Sequence, residues 1–234
     1  MNWNSPIPLQ AQTLNSLPSI MESHEPLLSL KQYSPEIEVY PAYYREGLSG
    51  AIDDCLLRHG VAQRLKKAAE LLPAGIRLVL LDGYRPIAVQ QALYDRQRNH
   101  LLEQGWTESE EMYAELHRFV ARPTVDPAKP PRHFTGGAVD LTLTGPNGWL
   151  NMGTPFDDFS ERAATRYYEQ KSDLQPDEQL IRDHRRLLYH VMNQVGFTNY
   201  SDEWWHFDFG NQAWAILTGN ERACYGGVVP QASN

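Results

Sequence analysis

Three short segments concentrate side chains that can bind a metal or move a proton: D-G-Y-R-P at 82–86, H-F-T-G-G-A-V-D at 133–140 and E-W-W-H-F at 203–207. A hydrolytic zinc site takes three protein ligands from His and carboxylate and leaves a fourth position open for water. His133, Asp140 and His206 meet that count. The water also needs a base within reach, and Glu203, three residues before His206, is the candidate. That spacing puts two side chains on one face of a helix but on opposite faces of a regular strand. The aromatic run W-W-H-F-D-F favours a strand, so Glu203 has to sit in the turn or bulge that enters it. Trp204, Trp205, Phe207 and Phe209 are read mostly as sheet and core residues. Arg85 has two readings. One is a turn arginine in a surface ion pair of ~0 to 1 kcal/mol; the other is an oxyanion donor whose loss costs ~2.7 to 4 kcal/mol of barrier. Two His and one carboxylate also describe the facial triad of iron-dependent oxygenases, so the donor types leave that chemistry open.

The segments around these residues say how they are positioned. Residues 121–137 hold four prolines and two glycines, the composition of a long irregular loop, and this loop delivers His133. The Thr-Gly-Gly after Phe134 lets the backbone turn sharply into a strand over A-V-D-L-T-L-T-G, 138–145. Val139, Leu141 and Leu143 share one face of it, and Asp140 and Thr142 the opposite, solvent-side face. Upstream, I-R-L-V-L-L-D-G reads as a buried strand closed by an Asp-Gly turn. Pro86 then opens a helix through 87–104, which leaves Arg85 at a strand-to-helix junction, its backbone extended by the following proline. Residues 52–72 have helical spacing interrupted or bent at Gly60, and 176–195 reads as a helix stopped by Gly196. Residues 1–35, rich in Pro, Ser, Asn and Gln, are expected to be an irregular arm, with 36–234 forming a single domain. Helices before and between strands, without regular βαβ alternation, point to an α+β fold with an antiparallel sheet.

Composition narrows the partners. The chain has 234 residues and a net charge of −8, with acidic residues spread along it, so no basic stripe exists for a nucleic acid. No stretch approaches the ~18 to 20 apolar residues that span a bilayer, and the first residues lack a basic segment followed by an apolar run, so neither membrane insertion nor export is expected. Cys55 and Cys224 have no second sulfur at metal-site spacing. A cytoplasmic protein with free thiols is the simplest expectation.

Taken together, D-G-Y-R-P, then H-x6-D in H-F-T-G-G-A-V-D, then M-G-T-P-F-D at 152–157, then E-W-W-H, in this order, resemble the VanX-type D-alanyl-D-alanine dipeptidases. These lie within the wider group of zinc D,D-peptidases and hedgehog-like domains, and the resemblance spans about residues 75–209. It implies a small central antiparallel sheet flanked by helices, with long loops around a zinc cleft. It also implies one zinc ion held by His133, Asp140 and His206, Glu203 as the catalytic base, and Arg85 steadying the tetrahedral intermediate. Asp157 matches an acidic position that holds the substrate ammonium. The expected substrate is D-Ala-D-Ala or a related small D,D-dipeptide, hydrolysed by attack of a zinc-bound water. The alternatives are a peptidoglycan D,D- or L,D-carboxypeptidase, the iron oxygenase, or a zinc module for binding only. Two departures stand out: Pro131 and Arg132 precede His133 where relatives often carry serines, and S-E-R-A-A-T-R-Y-Y-E-Q follows Phe159 in place of an acidic, His-rich stretch. Tyr40, Tyr43 and Tyr44 are candidates for further substrate contacts.

Overall fold

The computed structural model describes residues 3–11 and 16–229. In chain order the strands are β1 (Ser19–Ile20), β2 (Leu27–Ser29), β3 (Ile37–Val39), β4 (Leu56–Arg58), β5 (Arg77–Asp82), β6 (Ala138–Gly145), β7 (Gly148–Trp149), β8 (Thr198–Asn199), β9 (His206–Asp208) and β10 (Arg222–Ala223). The helices are α1 (Ala42–Arg45), α2 (His59–Leu71), α3 (Ile87–Glu103), α4 (Glu110–Phe119), α5 (Pro176–Gln194) and α6 (Gln212–Thr218).

The fold is α+β around a six-stranded sheet of order β3-β5-β6-β9-β8, with β7 paired to β6. The pairs are antiparallel except at one edge, where β3 runs parallel to β5. The sheet is mainly antiparallel, as expected, with one parallel edge. That edge arises because α1, the β4 segment and α2 intervene between β3 and β5, which is length enough for a crossover connection.

Alternation along β5 and β6 divides the core. Leu78, Leu80, Val139, Leu141 and Leu143 pack with Leu65 and Ala68 of α2 and with Leu188, Val191 and Met192 of α5. Val79 and Leu81 face the other way, toward Ala42. A separate apolar cluster joins Tyr43 to Val89 and Leu93 of α3 and to Met112 and Leu116 of α4. Asp140 does lie opposite the Val139–Leu141 face, but it is 2% exposed and not solvent-side. On that second face Asp140 borders the cleft described below.

Helix α2 starts at His59, so 52–58 is not helical as the periodicity suggested. Asp54 accepts a hydrogen bond from the Cys55 amide at 2.7 Å, a local turn that competes with helix. Leu56–Arg58 then pairs with Leu27–Ser29. Gly60 falls inside the first turn of α2 and is no break; a Cβ there would meet the Tyr225 hydroxyl at 2.7 Å. The first 35 residues include β1, paired with β10, and β2, while Ile7 and Leu30 are buried. Helix α5 begins with a capping box, Gln175 with Glu178, around Pro176 and ends before Gly196 at φ 94°.

Candidate metal centre and active site

Two strand ends and two turns converge on one spot. Across the β6–β9 ladder Asp140 lies directly opposite His206, and across β5–β6 a bulge after Leu80 brings Asp82 opposite Asp140. His133 opens a 3-10 turn, His133–Thr135, that ends on Gly136 at φ 68°. Gly137 must follow closely: a Cβ there would lie 2.5 Å from the Phe209 carbonyl. The turn is tied to the Asp-Gly-Tyr-Arg segment by Arg85 N–H donating to the His133 carbonyl at 3.2 Å.

His133, Asp140 and His206 are all buried, and one donor atom from each lies within 4.8 Å of the others. His133 Nε2 is 3.2 Å from His206 Nδ1 and 3.3 Å from Asp140 Oδ2, while His206 Nδ1 is 3.0 Å from Asp140 Oδ1. Metal–ligand bonds of about 2.0 to 2.2 Å put tetrahedral donor atoms about 3.3 to 3.6 Å apart, so shifts of a few tenths of an ångström and a small carboxylate rotation suffice. The ring orientations fit a metal as well. His133 Nδ1 lies 2.8 Å from the Gly83 carbonyl, which can only accept, so that nitrogen carries the proton and Nε2 offers its lone pair to the centre. His206 presents Nδ1 to the centre, with Nε2 turned to Asp208 Oδ1 at 3.2 Å. That contact is an ion pair when the imidazole is protonated. Burial works against the charged imidazole of His206, but the Asp208 and Asp140 carboxylates outweigh it and push the pKa up to about 10. Burial would raise Asp140, yet His133 and His206 hold it well below the usual carboxylate range.

Glu203 occupies the turn between β8 and β9, as the spacing requires, 6% exposed with Oε2 3.9 Å from His206 Nδ1. Burial pushes its carboxyl up to about 8, opposed by His206 and reinforced by Asp140 and Asp157. Arg85 is no surface arginine. It is 9% exposed, donating from Nε to Asp82 at 2.8 Å and from Nη1 to Gln90 Oε1 at 3.0 Å. Its Nη2 is held only by longer contacts, 3.3 Å to the Tyr43 hydroxyl and 3.5 Å to Asp140 Oδ2. Burial disfavours its charge, but Tyr43, Asp82, Asp140 and Asp157 keep it cationic.

Asp157 sits at φ 59°, an uncommon conformation for a residue with a side chain, and so turns its carboxylate inward. It accepts from the Tyr43 hydroxyl at 2.9 Å and from Arg96 at 3.3 Å. Burial raises its pKa to about 7 against the pull of Arg85. One cleft is lined by the metal triad together with Glu203, Arg85, Asp157 and Tyr43. Tyr40 and Tyr44 are absent from that lining; Tyr40 packs edge-on to Trp149.

Sequence reasoning missed Asp82, which holds Arg85 and lies 3.5 Å from His133 Nδ1, and Asp208. Asp208 had a signal: two residues beyond His206 on one strand, it shares that histidine's face. Asp208→Asn is expected to weaken metal affinity about 10- to 100-fold, measured by competition with a chelator, since a neutral amide no longer orients and polarises His206. Unchanged affinity would remove Asp208 from the metal's support.

Among the described residues no helix is long and apolar enough to cross a membrane. A sequence model of the peptidase M15 family, described as D-ala-D-ala dipeptidase, matches residues 44–223. A Synechocystis protein named D-alanyl-D-alanine dipeptidase is 37% identical over 177 residues, covering 68% of this chain and 71% of the relative. Proteins of the same name from Escherichia coli and Enterococcus faecium are 28% and 30% identical, covering 73% and 63% of this chain and 75% and 69% of the relatives. The matched residues take in every cleft-lining residue except Tyr43, and the chain belongs to the M15 family of D-alanyl-D-alanine dipeptidases.

Proposed function

We propose that the chain is a zinc-dependent dipeptidase that hydrolyses D-Ala-D-Ala or a related small D,D-dipeptide. The observation that carries this reading is the single cleft that combines a His-Asp-His donor triad with Glu203, Arg85 and Asp157. His133, Asp140 and His206 would hold one zinc ion per chain, and that ion supplies Lewis acidity and makes water nucleophilic near neutral pH.

The chain's own groups do the rest. Asp157 and the Tyr43 hydroxyl receive the substrate ammonium, a charge that a buried carboxylate selects for. Glu203 takes the proton of the attacking water as the C–O bond forms. The same carboxyl then gives that proton to the amine nitrogen as the C–N bond breaks. Arg85 keeps Nε and Nη1 fixed on Asp82 and Gln90 while the loosely held Nη2 turns to the developing oxyanion.

The proposed organisation is one catalytic domain over 36–234 with 1–35 as an arm laid against it through the β1–β10 and β2–β4 pairs. The proposed compartment is the cytoplasm, supported by the free thiols of Cys55 and Cys224.

A substrate panel tests the function. D-Ala-D-Ala should be cleaved, L-Ala-L-Ala should not, and a chelator should stop the reaction. Faster cleavage of a stem pentapeptide than of the free dipeptide would convert the reading to a carboxypeptidase, and an oxygen requirement would end it.

A further inference from the structure

In a free dipeptide the terminal carboxylate is two bonds from the nitrogen that departs. In the reading proposed above, on which this inference rests, Glu203 delivers a proton to that nitrogen. The carboxylate therefore has to be received on the Glu203 side of the cleft, by a cation whose donors are not already used.

Four arginines line the cleft: Arg85, Arg96, Arg118 and Arg132. Arg85 is fixed by Asp82 and Gln90. Arg96 is taken by Glu46 at 3.0 Å and Asp157 at 3.3 Å, and Arg118 by Asp202 at 2.9 Å and Glu115 at 3.8 Å. Arg132 differs. Its guanidinium lies 4.4 Å over the Tyr200 ring, and among the described residues its side-chain hydrogen bond is a single one, from Nη1 to Asp208 Oδ2 at 3.2 Å. Asp208 is itself immobilised, 1% exposed and bonded by Asn211 at 2.6 Å. The planar fork is thus clamped by stacking and by one nitrogen, and its side chain is 35% exposed at the cleft. A guanidinium held in this way is pre-organised for a carboxylate, because little rotamer freedom remains to be lost. Its place is right as well: Arg132 immediately precedes His133, and Tyr200 and Glu203 flank the same turn into β9.

We propose that Arg132 receives the C-terminal carboxylate of the dipeptide and so makes a free carboxylate, one residue beyond the scissile bond, a condition of good turnover.

The test compares D-Ala-D-Ala with its C-terminal amide, which keeps size and stereochemistry and deletes the charge. Wild type should prefer the acid in kcat/KM by about 10- to 100-fold, the range of a hydrogen bond to a charged group. In Arg132→Met that ratio should collapse to about one, and in Arg132→Lys, which keeps the charge without the fork, it should be intermediate. Zinc content measured on each variant separates loss of the carboxylate contact from disturbance of Asp208 behind His206. Calorimetric binding of acid and amide to zinc-loaded Glu203→Gln, with and without Arg132→Met, reads the same contact without turnover. An acid-over-amide preference that survives Arg132→Met, in turnover or in binding, overturns the proposal. If wild type cleaves neither compound while Glu203→Gln still binds the acid better than the amide, the dipeptidase reading fails and the carboxylate receptor stands.

Discussion

Glu203→Gln is expected to lower kcat/KM for D-Ala-D-Ala by about 100- to 10,000-fold, the usual contribution of a positioned general base, and to leave zinc bound. The expectation follows from its place in a turn outside the ligand triad, with Oε2 3.9 Å from His206 Nδ1. Zinc content and single-turnover rates measured on one preparation check it; near-normal turnover would exclude Glu203 from proton transfer. The same substitution should affect stability with the opposite sign. In the metal-free protein burial pushes the Glu203 carboxyl from the ordinary carboxylate range up to about 8. A carboxyl whose folded pKa exceeds the unfolded one destabilises the fold as pH rises from the lower value to the higher. Metal-free Glu203→Gln should therefore have a higher Tm than metal-free wild type at pH 8, with the gap closing near pH 4. With Glu203 as the proposed base, catalytic power and stability would conflict at this residue.

Removing the metal, or replacing His133 by Ala, is expected to abolish hydrolysis outright. Chelator-treated wild type should recover on adding zinc, and His133→Ala should not. Any rate retained by the stripped enzyme well above background would refute the metal's role. The loss should extend to stability, because a ligand that binds only the folded chain stabilises it by about 4 kcal/mol at a thousandfold excess over its Kd. Zinc uptake should weaken as pH falls, since both imidazoles must be neutral to bind. Thermal melts with and without zinc at two pH values read both effects.

What could be read from the residue order was whatever local chemistry governs. The four prolines before His133, the Gly-Gly after it, the alternation through 138–145 and the glycine after α5 each act within a few residues, and the structure follows them. Helix α4 was passed over despite a local signal: Ser109 accepts from the Met112 amide at 3.2 Å, followed by Glu110 and Glu111 in the first turn. The 52–58 segment misled because its apolar spacing suits a helix, while the outcome is set by β2, a partner nearly thirty residues earlier. Burial on both faces of β6 is likewise a tertiary fact, since alternation tells two faces apart without saying what covers the second. Asp82 meets His133 and Asp140 only through a bulge and a strand pairing, neither of which the chain order displays.

The pairing of Asp140 with His206 across adjacent strands has a consequence for change over time. Two of the three candidate ligands are held opposite each other by the β6–β9 register, so the exposed loops between Gly145 and His206 do not have to bring them together. Within that stretch α5 supplies core residues and the turns bearing Asp157 and Glu203 line the cleft, which leaves the exposed loops between them as the parts open to change. Those loops can change in length without moving the two ligands apart, provided the core helix and both ends return to the same places. A deletion or insertion of one residue inside β6 or β9 is the opposite case, because it would turn a ligand to the wrong side of the sheet.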